Sequence, residues 1–169
     1  MTPQRTKHPL TPDELRAIAN NLHVRLADML WTMALTGMGP TEYWSLTWKQ
    51  LPDRIHIEGT KRTGRVRDVP RVMSMASPAI EYAAFRRHLR DASDSQVAPY
   101  DLRRSYANWL ESAGIPRTRR KLYMGHGATD ITSLYEWHEV TAFLVEDAAK
   151  LRAYVFGTEN TGLKLEKGA

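Results

Sequence analysis

Apolar residues recur at intervals of three and four over most of this chain, and one short alternating stretch interrupts them. Leu15, Ile18, Ala19 and Leu22 keep the helical spacing after Thr11-Pro12-Asp13-Glu14, where Thr11 suits the N-cap and Pro12 the first turn. Leu26, Met29, Leu30 and Met33 predict a second helix over 24–35, stopped by Gly37. Pro40-Thr41-Glu42 opens a short third helix through Leu46. Ile55 and Ile57 then alternate with Arg54, His56 and Glu58, a strand pattern, and Thr63-Gly64 makes a turn into a partner strand over 66–69. Further helices are expected over 78–89, over 102–113 with Asp101 as cap and Gly114 as stop, over 116–123, over 130–135 and over 141–155. The reading is an α+β fold, mostly helical with one small antiparallel sheet. Residues 1–10 read as an N-terminal extension, 11–156 as one domain and 157–169 as a loose tail.

Composition narrows the classes. A chain of 169 residues suits one core. Lys and Arg outnumber Asp and Glu by 24 to 19, a net charge of +5 that fits a nucleic-acid partner without requiring one. The absence of cysteine excludes disulfides and thiolate metal sites. No apolar run approaches ~18 residues and no signal-peptide core is present, so a cytoplasmic protein with no membrane association is expected.

Four islands could carry chemistry. Lys61, in Thr60-Lys61-Arg62-Thr63-Gly64, falls near the tip of the expected hairpin and can donate a proton; a solvated hairpin charge is the plain alternative. Arg103, in Tyr100-Asp101-Leu102-Arg103, can project from a helix start toward a phosphate, which its planar fork fits; the alternative is a surface arginine. Arg104, next in the chain, is expected to point elsewhere. His126, in Met124-Gly125-His126-Gly127, should lie on exposed, sharply turned backbone as a donor, or simply as a turn residue. Tyr135 follows nine residues later; its phenol needs nearby cations to become a nucleophile, and a lone tyrosine is more often a packing residue.

Their order resembles the tyrosine recombinase (phage integrase) family over about residues 8 to 155. Its motifs run Thr-Gly-x-Arg-x-x-Glu, a hairpin Lys, His-x-x-Arg, Leu-Gly-His and a Tyr about nine residues on. Here they correspond to Thr36-Gly37-Met38-Gly39-Pro40-Thr41-Glu42, Lys61, Tyr100-Asp101-Leu102-Arg103, Met124-Gly125-His126 and Tyr135. The resemblance implies the recombinase catalytic-domain fold and site-specific DNA recombination or integration, as in phages and other mobile elements. It implies attack by Tyr135 on a phosphate of double-stranded DNA, giving a 3′-phosphotyrosyl link, with Arg103 clamping the phosphate, His126 donating to it and Lys61 protonating the 5′-oxygen. No metal or nucleotide cofactor is implied. Leu46 and Trp48 would be core. Arg62, Arg65, Arg67, Arg104, Arg119 and Arg120 are the further candidates for DNA contact.

The sequence departs from the family at two positions. The first arginine of the clamp falls on Gly39, and Tyr100 replaces the histidine of His-x-x-Arg. Arg62, Arg65 and Arg67 are the candidates to replace the missing cation. The N-terminal helical domain common in the family has no counterpart here, so either a weaker grip on DNA or a fragment is expected. The segment over 141–155 resembles the C-terminal segment that docks on a neighbouring protomer in the family, with packing on its own domain as the alternative. Three readings stay open: an active or attenuated recombinase, a catalytically impaired DNA-binding or regulatory module, and an unrelated helical interaction domain.

Overall fold

The computed structural model describes residues 8–59, 66–126 and 139–157. Among these, seven helices surround a three-stranded antiparallel sheet: α1 Pro12–Asn20, α2 Val24–Ala34, α3 Pro40–Trp44, β1 Trp48–Gln50, β2 Arg54–Ile57, β3 Arg67–Pro70, α4 Tyr82–Ala92, α5 Pro99–Ser112, α6 Arg117–Met124 and α7 Glu139–Phe156. The expected α+β class holds. None of the described helices is long and apolar enough to cross a membrane.

Most helix predictions follow local chemistry. Thr11 Oγ1 accepts from Glu14 N while the Glu14 carboxylate accepts from Thr11 N, the reciprocal cap that Thr-x-x-Glu allows. Leu26, Met29, Leu30 and Met33 are all buried, as their spacing required. Gly37 does take a left-handed backbone, φ +69°, and a Cβ there would overlap the Tyr106 ring, so the glycine lets α2 and α5 approach closely. In the sheet, Ile55 pairs with Val69 across β2 and β3, and both side chains are buried. On the opposite face, His56 and Arg54 meet Asp68 at 2.7 and 3.3 Å.

Tertiary contacts override the sequence in four places. Residues 78–81 are not helical. Their backbone groups and those just before are taken by side chains of other elements: Thr32 Oγ1 accepts from Ala76 N, Met29 Sδ from Ala79 N, and Ile80 O accepts from Trp44 Nε1. Strand β1 carries no alternating pattern and forms by pairing its backbone with β2. Leu46 is not core: it is 59% exposed, in left-handed backbone at φ +54° two residues after α3. Trp48 does pack inward, stacked on Tyr43 with Nε1 donating to Tyr43 O. Finally, the expected extension is docked as far as Leu10, which is buried. Its N–H donates to Ser105 Oγ and its carbonyl accepts from Trp109 Nε1.

Helix α7 packs on its own domain. Leu144, Ala148, Leu151 and Val155 are buried, and Asp147 accepts from Arg119 of α6 at 2.8 and 2.9 Å and from the Tyr123 hydroxyl at 2.5 Å. Arg152 donates to the carbonyls of Val72 and Arg71. The apolar face is therefore used within this chain, and among its described residues Val145 is a large aliphatic side chain left exposed.

Candidate functional site

Helix α5 starts at Pro99, three residues before the expected position. The cause is a cap made by a residue inside the helix: Asp101 at N3 turns back, and its carboxylate accepts from Ala98 N at 3.0 Å. Asp101 is thus the third residue of the helix and not its cap residue. The earlier start puts Tyr100, Arg103, Arg104 and Ala107 on one helical face at the spacing i, i+3, i+4, i+7.

That face forms one wall of a cleft of about 340 Å³, lined also by Gly39, Glu42, Met124 and His126. Two of the four sequence islands, those of Arg103 and His126, therefore meet in one place together with Gly39, although the three segments lie far apart along the chain. Arg103 is held by two backbone carbonyls, Gly37 O at 2.6 Å and Met124 O at 2.6 Å, which tie the end of α2 to the end of α6. Tyr100 is exposed, and the Arg104 guanidinium lies 5.2 Å from its ring centroid. Arg104 also approaches Asp101 at 3.4 Å and remains half-exposed. It lines the cleft and does not point away, contrary to the sequence reading. The signal for it was present: once Tyr100 is helical, Arg104 must share its face.

His126 sits on the rim because α6 ends in a glycine-closed turn. Gly125 takes φ +73°, its N–H donates to Leu122 O and the His126 N–H donates to Lys121 O, so the next side chain emerges exposed. The exposed, turned histidine expected from Gly-His-Gly is what forms. Gly39 has an ordinary φ of −74°, and a Cβ there meets nothing within 4 Å. The position expected to carry a cation is open at the cleft wall and occupied by glycine.

Arg67 corrects the list of DNA contacts. It is 2% exposed and held by Glu42 at 2.8 and 3.1 Å and by the carbonyl of Tyr123 at 3.0 Å, so it is a buried structural cation and cannot replace the arginine missing at 39. Burial pushes the Glu42 carboxyl up, but the hydrogen bonds and charge of Arg67, the Gly39 N–H and the charge of Arg103 outweigh it and hold the group below the usual range. Arg119 is likewise committed inward, paired with Asp147 beneath the Phe143 ring. Arg119 therefore presents no free fork to a groove. Arg120 leans on Glu111 at 3.4 Å. Lys61, Arg62, Arg65 and Tyr135 lie outside the described residues.

No family model, curated protein or solved structure matches this chain.

Replacing Gly39 by arginine tests the open position. If the chain cleaves DNA as the family resemblance implies, Gly39→Arg is expected to raise covalent DNA adduct formation, and to raise it most in an Arg104→Gln background. A single cleft donor is typically worth ~10² in rate. Rates on nicked duplexes measure this, and no gain in either background would mean that position 39 does not face the scissile phosphate.

Proposed function

We propose that this chain is a tyrosine recombinase catalytic domain, with the fold of that family, which cuts and rejoins double-stranded DNA through a 3′-phosphotyrosyl intermediate. The observation that carries the reading is the shared cleft: Tyr100 and Arg103 from one island and His126 from another line one cavity with the distant Gly39. A pentacoordinate phosphate in transfer needs fixed donors and positive charge around its oxygens. Arg103 supplies a fork already pinned by two carbonyls, and pinned geometry avoids reorganisation during reaction. Arg104 lines the same cavity and supplies the second cation in place of the one absent at 39. His126 donates from the rim.

In this mechanism the Tyr135 phenol releases its proton to water as its oxygen forms the new bond to phosphorus, the bond to the 5′-oxygen breaks, and Lys61 gives that oxygen its proton. A free 5′-hydroxyl then attacks phosphorus, releases the tyrosine and takes the strand back. The order of residues along the chain supports this assignment, since Tyr135 follows His126 by nine residues as in the family's motifs.

The test is a duplex nicked beside the cleavage position, so that the small leaving fragment diffuses away and traps the adduct. A covalent adduct that digestion and mass spectrometry map to the peptide bearing Tyr135 supports the enzyme. The glycine at 39 favours a second reading, a DNA-binding module that has lost cleavage, and salt-sensitive duplex binding with no adduct would establish that one.

A further inference from the structure

Helix α4 carries basic residues that the cleft does not use. Its apolar positions Phe85 and Leu89 are buried, so the helix turns Arg86, Arg87 and Arg90 outward. These three arginines line a groove of about 550 Å³ together with Tyr82, Ser95 and Ala98. Among the described residues, no carboxylate lines it. Among the same residues, the Arg86 and Arg87 guanidinium groups have no hydrogen-bond or ion-pair partner. Arg90 has only its neighbour Asp91 at 3.7 Å, both largely exposed, which is a weak pairing.

The far wall is built by strained backbone. Asp94 and Ser95 both take left-handed φ angles, +50° and +64°, and the Ser95 N–H donates to Arg90 O at 2.7 Å. That turn folds the chain back from α4 into α5 and sets Ser95 opposite the arginines. Ala98, directly before α5, lines this groove, and Tyr100, in the first turn of α5, lines the cleft. Both cavities therefore abut the same end of one helix.

We infer that this groove is a second phosphate-binding site, which grips the backbone of duplex DNA beside the cleavage cleft. The assignment rests on the reading of the chain as a DNA-acting protein. Three like charges with no facing carboxylate repel one another, and a polyanion removes that repulsion. Arginine forks suit phosphate oxygens bidentately. Spacing sets the size of the ligand: Arg86 to Arg90 spans about 6 Å of helix axis, and one DNA strand presents a phosphate every ~3.4 Å along its axis. The groove thus matches about two consecutive phosphates, more than a single free phosphate supplies.

Duplex binding measured between 50 and 200 mM salt tests this, with the wild type against Arg86→Gln/Arg87→Gln/Arg90→Gln. All three side chains are exposed, so the thermal midpoint should stay unchanged. Each phosphate contact contributes about −0.9 to the slope of log K on log salt. The triple variant should lose about 1.8 of that slope, so its affinity should fall about tenfold less than the wild type over the salt range. The corresponding triple lysine variant keeps the charge and should keep most of the slope. An unchanged slope in the glutamine variant overturns the proposal. So does displacement of duplex by millimolar inorganic phosphate at fixed ionic strength, which would mark a site for a small free anion. Wild-type duplex binding without any Tyr135 adduct would retire the cleavage reading and leave the slope comparison valid. Absence of wild-type duplex binding would overturn the groove as well.

Discussion

Arg103→Gln is expected to lower the rate of covalent adduct formation by about 10²–10³-fold, the usual consequence of removing one fixed donor from a phosphate or oxyanion site. Two effects combine. Glutamine loses the charge that, in the proposed mechanism, offsets the developing negative phosphate oxygens. It also cannot span Gly37 O and Met124 O, which the arginine holds together at 2.6 Å each. Loss of charge-assisted bonds at half-buried carbonyls costs about 1.5–3 kcal/mol, so part of the result will be lower stability. Rates taken well below the melting midpoint separate the two. Arg103→Lys adds a further distinction: it restores charge without the fork, and should recover duplex affinity more than rate. If the glutamine variant cleaves at the wild-type rate once its stability is matched, Arg103 is a structural strut and the phosphate sits elsewhere.

The largest loss of stability is expected at Arg67. Arg67→Met leaves the Glu42 carboxylate buried without its partner, at a cost of about 3–5 kcal/mol. In a chain of this size that lowers the melting midpoint by roughly 6–20 °C. The double variant Arg67→Met/Glu42→Leu should recover much of the loss, because a buried ion pair and a packed apolar pair are often nearly equivalent. Some deficit should remain, since Glu42 also accepts from Gly39 N and caps α3. Calorimetry on the four proteins of this cycle decides the matter. Additive losses would mean that the two residues act independently despite their 2.8 Å contact.

The same pair sets a pH dependence. The Glu42 carboxyl is held below its ordinary value of 4.5 in the folded state. A depressed folded value means that the unfolded chain takes up the proton first as pH falls. The stabilisation is therefore complete above about 4.5 and drains away as pH drops through the folded value. Glu42→Gln should flatten this acid limb of the stability curve, read as melting midpoint against pH from 6 to 3.

The helices that the sequence alone determined are those whose partners lie within a few residues. The Thr11–Glu14 cap, the apolar stripe of α2 and the Gly114 stop of α5 follow from residues within one or two turns along the chain. The exposed His126 follows for the same reason, since Gly125 dictates the turn beneath it. The pairing of β2 with β3 was legible because two isoleucines alternate with polar residues. Where a backbone group or a charge finds its partner far along the chain, sequence reasoning went astray. The segment at 78–81 escapes helix because Thr32, Met29 and Trp44 occupy nearby backbone groups. Arg67 reads as a surface cation until Glu42, 25 residues earlier, draws it inside. Arg104 was misdirected because the helix was expected to begin after Tyr100; with Tyr100 in the first turn, Arg104 shares its face at i, i+4. The order of candidate residues was present in the sequence. Their convergence in one cleft, the openness of position 39 and the separation of buried from available arginines came only from tertiary packing, because burial and distance between remote segments leave no local periodicity.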